Sequence, residues 1–232
     1  MSASPPASPP AGAPPPPAAP TVTALEARFF PAPQPSRRLV VVLHGLGDSM
    51  AGFYWMPQML GLPWLNYLLV NAPQPYYTGY AWYDLEDPEP GVLAGRARLR
   101  TLLAELDTQG WPAADTLLFG FSQGCLMSLD FALRHPQPLA GIVGVSGYAF
   151  GLERLPAELH PQALQQAWLV THGTHDELLP VARTAAQMNR LRELGLPIEW
   201  HTFPKGHTID PQDELPLLRD WIARRWAAPD NP

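Results

Sequence analysis

Three residues far apart in this chain are of the types that together turn an alcohol into an attacking group. Ser122 stands between two glycines in Gly120-Phe121-Ser122-Gln123-Gly124, Asp176 lies in Gly173-Thr174-His175-Asp176-Glu177, and His207 ends Phe203-Pro204-Lys205-Gly206-His207. A serine hydroxyl is a weak nucleophile near neutral pH. It needs a base to take its proton, and the base needs an acid to hold its ring in the right orientation and tautomer. Donors for the oxygen of a tetrahedral intermediate complete such a site, one of them worth roughly 3 kcal/mol.

The elements that would position these groups follow from the apolar pattern. Leu117 to Phe119 read as a buried strand and Gln123 to Arg134 as the helix after it. A Gly-x-Ser-x-Gly at that junction is a nucleophile elbow. The turn is sharp enough to force the serine into a strained backbone conformation, and strand and helix pass too closely for side chains at the flanking positions. Leu39 to Leu43 is the strongest strand signal, a continuous apolar run of the kind a parallel sheet covered on both faces requires. Further strands are expected at 66–70, 140–146, 167–171 and 198–203, with an edge strand or hairpin arm within 21–30. Helices are expected at 91–108, 181–194 and 213–226, and a short helix plus loop in the aromatic stretch 50–57. Strands alternating with such helices give one α/β domain with a mainly parallel central sheet flanked by helices on both faces.

In this arrangement the order is serine, acid, histidine, each on a loop at the carboxyl end of a strand. Of seven histidines, His207 alone falls between the last strand and the last helix. Asp176 holds the expected acid loop, with its neighbour Glu177 and with Asp210, three residues from the base, as competitors. The backbone N–H of Gln123 and that of Leu46, between two glycines in His44-Gly45-Leu46-Gly47-Asp48, are the expected oxyanion donors. The other histidines read more quietly. His135 precedes a proline at a helix end, where a cationic or hydrogen-bonding cap is favourable, and His172 and His175 shape the turn before Asp176. No pair has zinc-ligand spacing, and no metal or cofactor is expected.

Composition narrows the partners. The 232 residues carry only 16% charged side chains and a net charge of −6, so nothing advertises a nucleic-acid partner, and a small neutral or apolar substrate fits better. Arg96, Arg98 and Arg100 read as a solvated helix face opposite Leu93, Ala97, Leu99, Leu102, Leu103 and Leu106. The lone Cys125 excludes an internal disulfide and suits a reducing, cytoplasmic compartment, and it reads as a small buried residue behind the elbow. No run of eighteen apolar residues spans a membrane. Nine of the first twenty residues are proline and the first charge is Glu26, so 1–20 reads as a disordered, polyproline-II-prone tail ahead of a catalytic domain at 21–228.

Leu43-His44-Gly45-Leu46-Gly47-Asp48, Asn71-Ala72-Pro73, Ala81-Trp82-Tyr83-Asp84, Gly120-Phe121-Ser122-Gln123-Gly124, His172-Gly173-Thr174-His175-Asp176 and Pro204-Lys205-Gly206-His207 occur here in one order. In this the chain resembles the phospholipase/carboxylesterase family of α/β-hydrolases, which includes acyl-protein thioesterases, over roughly residues 21 to 226. The resemblance implies an α/β-hydrolase fold, a Ser122, Asp176, His207 triad, an oxyanion hole from the backbones of Leu46 and Gln123, and a site-lining segment containing Trp82. Cys125 departs from the small residue that members often carry there. The expected substrate-binding set is Trp82, Phe53, Tyr77 and Leu179, with Tyr77 in an aromatic loop from Pro73 to Tyr80. The leading expectation is a serine esterase for carboxylic esters of small to medium acyl chains, with thioesters on lipidated proteins or lysophospholipids as alternative substrates. An apolar rim around the pocket could support a weak homodimer. A hydrolase-like binding protein without turnover would be signalled by a missing triad member, and none is missing.

Overall fold

The computed structural model describes residues 16–226. Nine strands form along the chain, β1 (Ala27–Phe30), β2 (Leu39–Leu43), β3 (Asn66–Val70), β4 (Gln74–Tyr76), β5 (Gly79–Ala81), β6 (Thr116–Phe121), β7 (Gly141–Val145), β8 (Trp168–Gly173) and β9 (Ile198–Phe203). The helices are α1 (Met56–Leu60), α2 (Pro88–Thr108), α3 (Gln123–Ala132), α4 (Leu155–Glu158), α5 (Val181–Glu193) and α6 (Glu214–Arg224), with short 3-10 turns between.

Seven strands make one sheet in the order β1-β3-β2-β6-β7-β8-β9, parallel throughout except for the antiparallel edge strand β1. Alternation along β2 decides the layering. Leu39, Val41 and Leu43 join the side chains of α2, α3 and α5 on one face, whereas Val40 and Val42 join Met56 and Leu60 of α1 and Leu218, Trp221 and Ile222 of α6 on the other. Both faces being covered, every residue of β2, β3 and β7 is buried, as an interior parallel strand requires. Parallel pairing also brings the carboxyl ends of β2, β6, β7 and β8 to one edge, with Leu43 opposite Gly120, Gly120 opposite Gly144, and Val145 opposite Thr171. The loops after those strands gather there.

The edge strand expected within 21–30 is confined to 27–30. Ahead of it the chain is strapped to α2 by side chains: Glu105 accepts the N–H groups of Thr23 and Ala24, Gln109 exchanges two bonds with Thr21, and the indole N–H of Trp111 donates to Ala18 O at 3.1 Å. The expected tail lies outside the described residues up to position 15, and from Pro16 onward the chain is placed. Two expectations for α2 fail. Leu93 and Ala97 are exposed, their inward places being taken by Gly91, Val92 and Gly95. Arg96 is not merely solvated: it grips the buried Asp130 of α3 through two nitrogens at 2.8 and 3.0 Å, and Arg134 reaches the same carboxylate at 2.7 Å. Arg98 donates to Ala24 O, holding the strap. His135 is no cationic cap. It is buried, stacks on Phe131 at 4.6 Å, and has no hydrogen-bond partner among the described residues. Burial, helped by the nearby Arg100 and His160, lowers its pKa to about 4.

Candidate active site

Ser122 sits between β6 and α3 with φ 55 and ψ −114. That is a left-handed conformation a side-chain-bearing residue adopts at a cost, of order 1–3 kcal/mol, and holds only where its surroundings fix it. They do. Its N–H donates to Val145 O at 2.9 Å and its carbonyl accepts from Leu126 N–H at 3.2 Å. A methyl group on Gly120 would stand 2.1 Å from Gly124 O, and one on Gly124 would stand 2.1 Å from Leu43 O. The two glycines of the motif are there because backbone occupies the space a side chain would need.

The imidazole of His207 completes a chain of short bonds. Ser122 Oγ lies 2.9 Å from His207 Nε2, and His207 Nδ1 donates to Asp176 Oδ2 at 2.7 Å. Asp176 Oδ1 accepts the N–H groups of Leu178 and Leu179 at 3.0 and 2.9 Å. Burial pushes the pKa of this carboxyl up, but the bond from Leu179 N–H and the bond and charge of His207 outweigh it, and the net direction is down. An ionised acid is therefore held against the Nδ1 side of the ring, with Nε2 turned toward the serine. Of the competing acids, Glu177 is exposed and Asp210 instead accepts the N–H groups of Gln212 and Asp213 at the start of α6.

The loop after β2 passes close to the serine, since a methyl group on Gly45 would come within 3.1 Å of Ser122 Cβ. Leu46 N–H and Gln123 N–H have no hydrogen-bond acceptor among the described residues, whereas Gly47 N–H and Asp48 N–H are bonded, to Tyr80 O and Gly45 O. Two buried side chains brace this loop and the segment behind it. His44 donates from Nδ1 to Gly45 O at 2.6 Å and accepts Ala72 N–H at Nε2 at 3.0 Å, and burial lowers its pKa, so the ring is held neutral with both nitrogens used. Gln123 accepts Trp82 N–H and donates to Tyr83 O, both at 2.9 Å.

Trp82 corrects the expectation that it lines the substrate site. It is fully buried, and its indole N–H donates to His44 O at 3.0 Å, so it acts behind the loop. Phe53 does reach a cavity beside the base, a cleft of about 320 Å³ lined also by Asp48, Trp55, Phe121, His207, Thr208 and Ile209. Tyr77 is at the tip of the β4–β5 hairpin, 93% exposed, at φ 50 and edge-on to Tyr76. Leu179 is half-buried and contributes its backbone, its N–H to Asp176 and its carbonyl to His172 Nε2 at 2.7 Å. Cys125 is wholly buried behind the elbow, where loss of solvent raises its thiol pKa to about 12.

A further buried group, whose burial the sequence does not announce, lies below the base. Lys205 Nζ lies 2.6 Å from both carboxylate oxygens of Glu214, 2.6 Å from Thr208 O and 3.2 Å from Ser146 Oγ. Its only signal was its place two residues before His207. Among the described residues no cluster of three or more His, Cys, Asp or Glu could hold a metal ion, and no helix is long and apolar enough to cross a membrane.

Residues 27–224 match the phospholipase/carboxylesterase family model. The chain belongs to the phospholipase/carboxylesterase family. Its relatives include acyl-protein thioesterase 1 of Schizosaccharomyces pombe, 32% identical over 170 residues that cover 66% of this chain and 74% of the relative. A probable carboxylesterase of Oryza sativa subsp. japonica is 26% identical over 86% of this chain and 84% of its own length. Among solved structures, esterase PE8 is 32% identical with a TM-score of 0.75, covering 86% of this chain and 98% of that one. The phospholipase/carboxylesterase chain described here is an ester hydrolase with the α/β-hydrolase fold.

Proposed function

We propose that the protein is a serine carboxylesterase that hydrolyses carboxylic esters of small to medium acyl chains through an acyl-enzyme. The observation that carries this is the unbroken line of bonds Asp176 Oδ2, His207 Nδ1, His207 Nε2, Ser122 Oγ, at 2.7 and 2.9 Å. His207 Nε2 takes the Ser122 proton as Oγ attacks the ester carbonyl carbon. The negative oxygen so formed is met by the N–H groups of Leu46 and Gln123. The protonated ring then gives its proton to the leaving alkoxide, and the ester C–O bond breaks. A water activated by the same nitrogen hydrolyses the acyl-serine and returns the enzyme. Asp176 stays ionised throughout, orienting the ring and stabilising its charged form.

The cleft beside His207, about 320 Å³ with Phe53, Trp55, Phe121 and Ile209 on its walls, is at the small end of ligand pockets, which run from about 300 to 1,000 Å³. It suits a short or medium acyl group. With one cysteine, buried and unpaired, the protein needs no oxidising compartment, and we assign it to the cytoplasm.

Thioester hydrolysis is the second reading, favoured by the relatives named acyl-protein thioesterase 1 in several fungi. The same groups would attack a thioester carbonyl and release a thiol. Kinetics on p-nitrophenyl esters of rising chain length, with matched thioesters, test both. The esterase reading expects kcat/KM to peak at short or medium chains. A rate that climbs steadily past eight carbons and favours the thioesters would replace it with the second.

A further inference from the structure

We propose that the buried pair Lys205 and Glu214 positions His207 for the reaction, acting as the joint that fixes the base loop to the nucleophile and acid loops. The proposal rests on the serine-hydrolase reading of the site and adds to it two residues that touch neither the substrate nor the reacting atoms.

The placement of Lys205 is the reason. Its ammonium is almost out of solvent, and its contacts come from three different elements. Glu214, at the first turn of α6, meets it through both carboxylate oxygens and accepts Asp210 N–H as well. Thr208 O, the carbonyl directly after the base, accepts from Nζ at 2.6 Å, so the turn carrying His207 is pinned on its far side. Ser146 Oγ, at 3.2 Å, belongs to a residue with φ 50 at the end of β7, next to Val145, whose carbonyl holds Ser122 N–H. On the main-chain side, Lys205 O accepts His175 N–H at 3.0 Å, immediately before Asp176. One residue thus touches the segments bearing the acid and the base, and through Ser146 the strand end whose Val145 carbonyl holds Ser122 N–H.

A pair that only anchored α6 would not need the lysine. Glu214 already serves the helix by capping Asp210 N–H, and Asp210 caps the next turn. A lysine is stripped of water here, and burial lowers its pKa against the opposing pull of Glu214. A charge so placed persists only with a full set of partners, and each of its other partners lies one residue from, or is bonded next to, a triad member. Positioning to within a fraction of an ångström is what such a set provides, and a misplacement of about 1 Å can cost about 10²-fold in rate.

The pair is electrically balanced, and that separates a positioning role from a merely structural one. Around the His207 ring stand Asp176, bonded to it, with His172 behind, Ser122 and Phe121 from the elbow, and Asp48 in the same cleft, while Lys205, with Glu214 and Asp210 beside it, acts on the same neighbourhood through Asp176. Removing either member of the pair leaves the other member's charge uncompensated, of opposite sign in the two cases.

The test is steady-state kinetics from pH 5 to 9 on wild type, Lys205→Met, Glu214→Gln and the double variant Lys205→Met/Glu214→Leu, each first checked for folding by circular dichroism. The expected result for the single variants is a kcat lower by about 10- to 100-fold with KM unchanged. The acidic limb of kcat/KM should move to higher pH in Lys205→Met and to lower pH in Glu214→Gln. The double variant, with no lone charge buried, should keep the low kcat but return the limb to the wild-type position, and it decides the matter if a single variant does not fold. Folded variants with wild-type kcat, or limbs that move in the same direction, would overturn the proposal. A wild type without turnover and without fluorophosphonate labelling would overturn the hydrolase reading together with it.

Discussion

The hydroxyl of Ser122 and the Nε2 of His207 lie 2.9 Å apart across 85 positions of chain, within hydrogen-bond reach. On the proposed serine-esterase reading, proton transfer at that separation needs no loop movement and the pair is arranged for attack. What keeps it arranged is Asp176, whose two oxygens are divided between tasks: Oδ2 takes His207 Nδ1–H, and Oδ1 is fixed by two backbone N–H groups.

That division makes Asp176→Asn a sharp test of orientation. An amide can offer Nδ1 an N–H in place of an acceptor, favouring the tautomer whose Nε2 already carries a proton and cannot accept another. The expected loss is about 10³- to 10⁴-fold in kcat with little change in KM, read from p-nitrophenyl ester kinetics at pH 8.

Trp82 should matter although it is out of reach of any substrate. Trp82→Phe keeps an aromatic ring but removes the indole N–H from His44 O and the volume of the second ring, leaving a buried carbonyl without its donor and a small cavity. The expected cost is about 1–3 kcal/mol of stability for the lost bond and a fall of about tenfold in kcat/KM as the loop after β2, the proposed oxyanion donor, loosens. Thermal melts and ester kinetics on one preparation check both.

Gly124→Ala probes the elbow's packing. The added methyl would stand 2.1 Å from Leu43 O, backbone that cannot give way without moving β2. The expected destabilisation is about 3 kcal/mol or more, seen as a melting temperature lower by roughly 10 °C.

His135 gives a pH dependence of stability away from the site. Its ordinary pKa of 6.5 falls to about 4 on folding because burial disfavours the charged ring. Between those values the unfolded chain binds the proton and the folded one does not, so stability is whole above about pH 6.5 and is lost as pH falls toward 4, by about 3 kcal/mol. His135→Leu should flatten this slope. Urea midpoints at pH 7 and pH 4.5 for both proteins measure it.

Strands with continuous apolar runs and the Gly-x-Ser-x-Gly junction were legible in the sequence because their signals are local. A run such as Leu39 to Leu43 has few other places to go than between two helical layers, and the order of loops along a parallel sheet then follows from chain order. The β4–β5 hairpin reads as an aromatic loop in the sequence because its strands are three residues each and Gln74, Pro75 and Tyr76 are all exposed, so no alternation marks them. Arg96 looked solvated because its partner Asp130 is 34 residues away, on another helix. Trp82 is expected on a wall because the family resemblance implies that its segment lines the site, and only the donor position of its indole reveals that it faces inward. Lys205 was hidden for the same reason: a lysine is ordinarily exposed, and nothing nearby announces that Glu214, Thr208 and Ser146 close over it.

The most direct measurement is intact-protein and peptide mass spectrometry after brief mixing with a fluorophosphonate and, separately, with a p-nitrophenyl ester under acid quench. The expected result is a single adduct located on Ser122, an acyl group in the second case, with Ser122→Ala unlabelled and without turnover. Turnover retained by Ser122→Ala, or an adduct on another residue, would contradict nucleophilic catalysis at this serine.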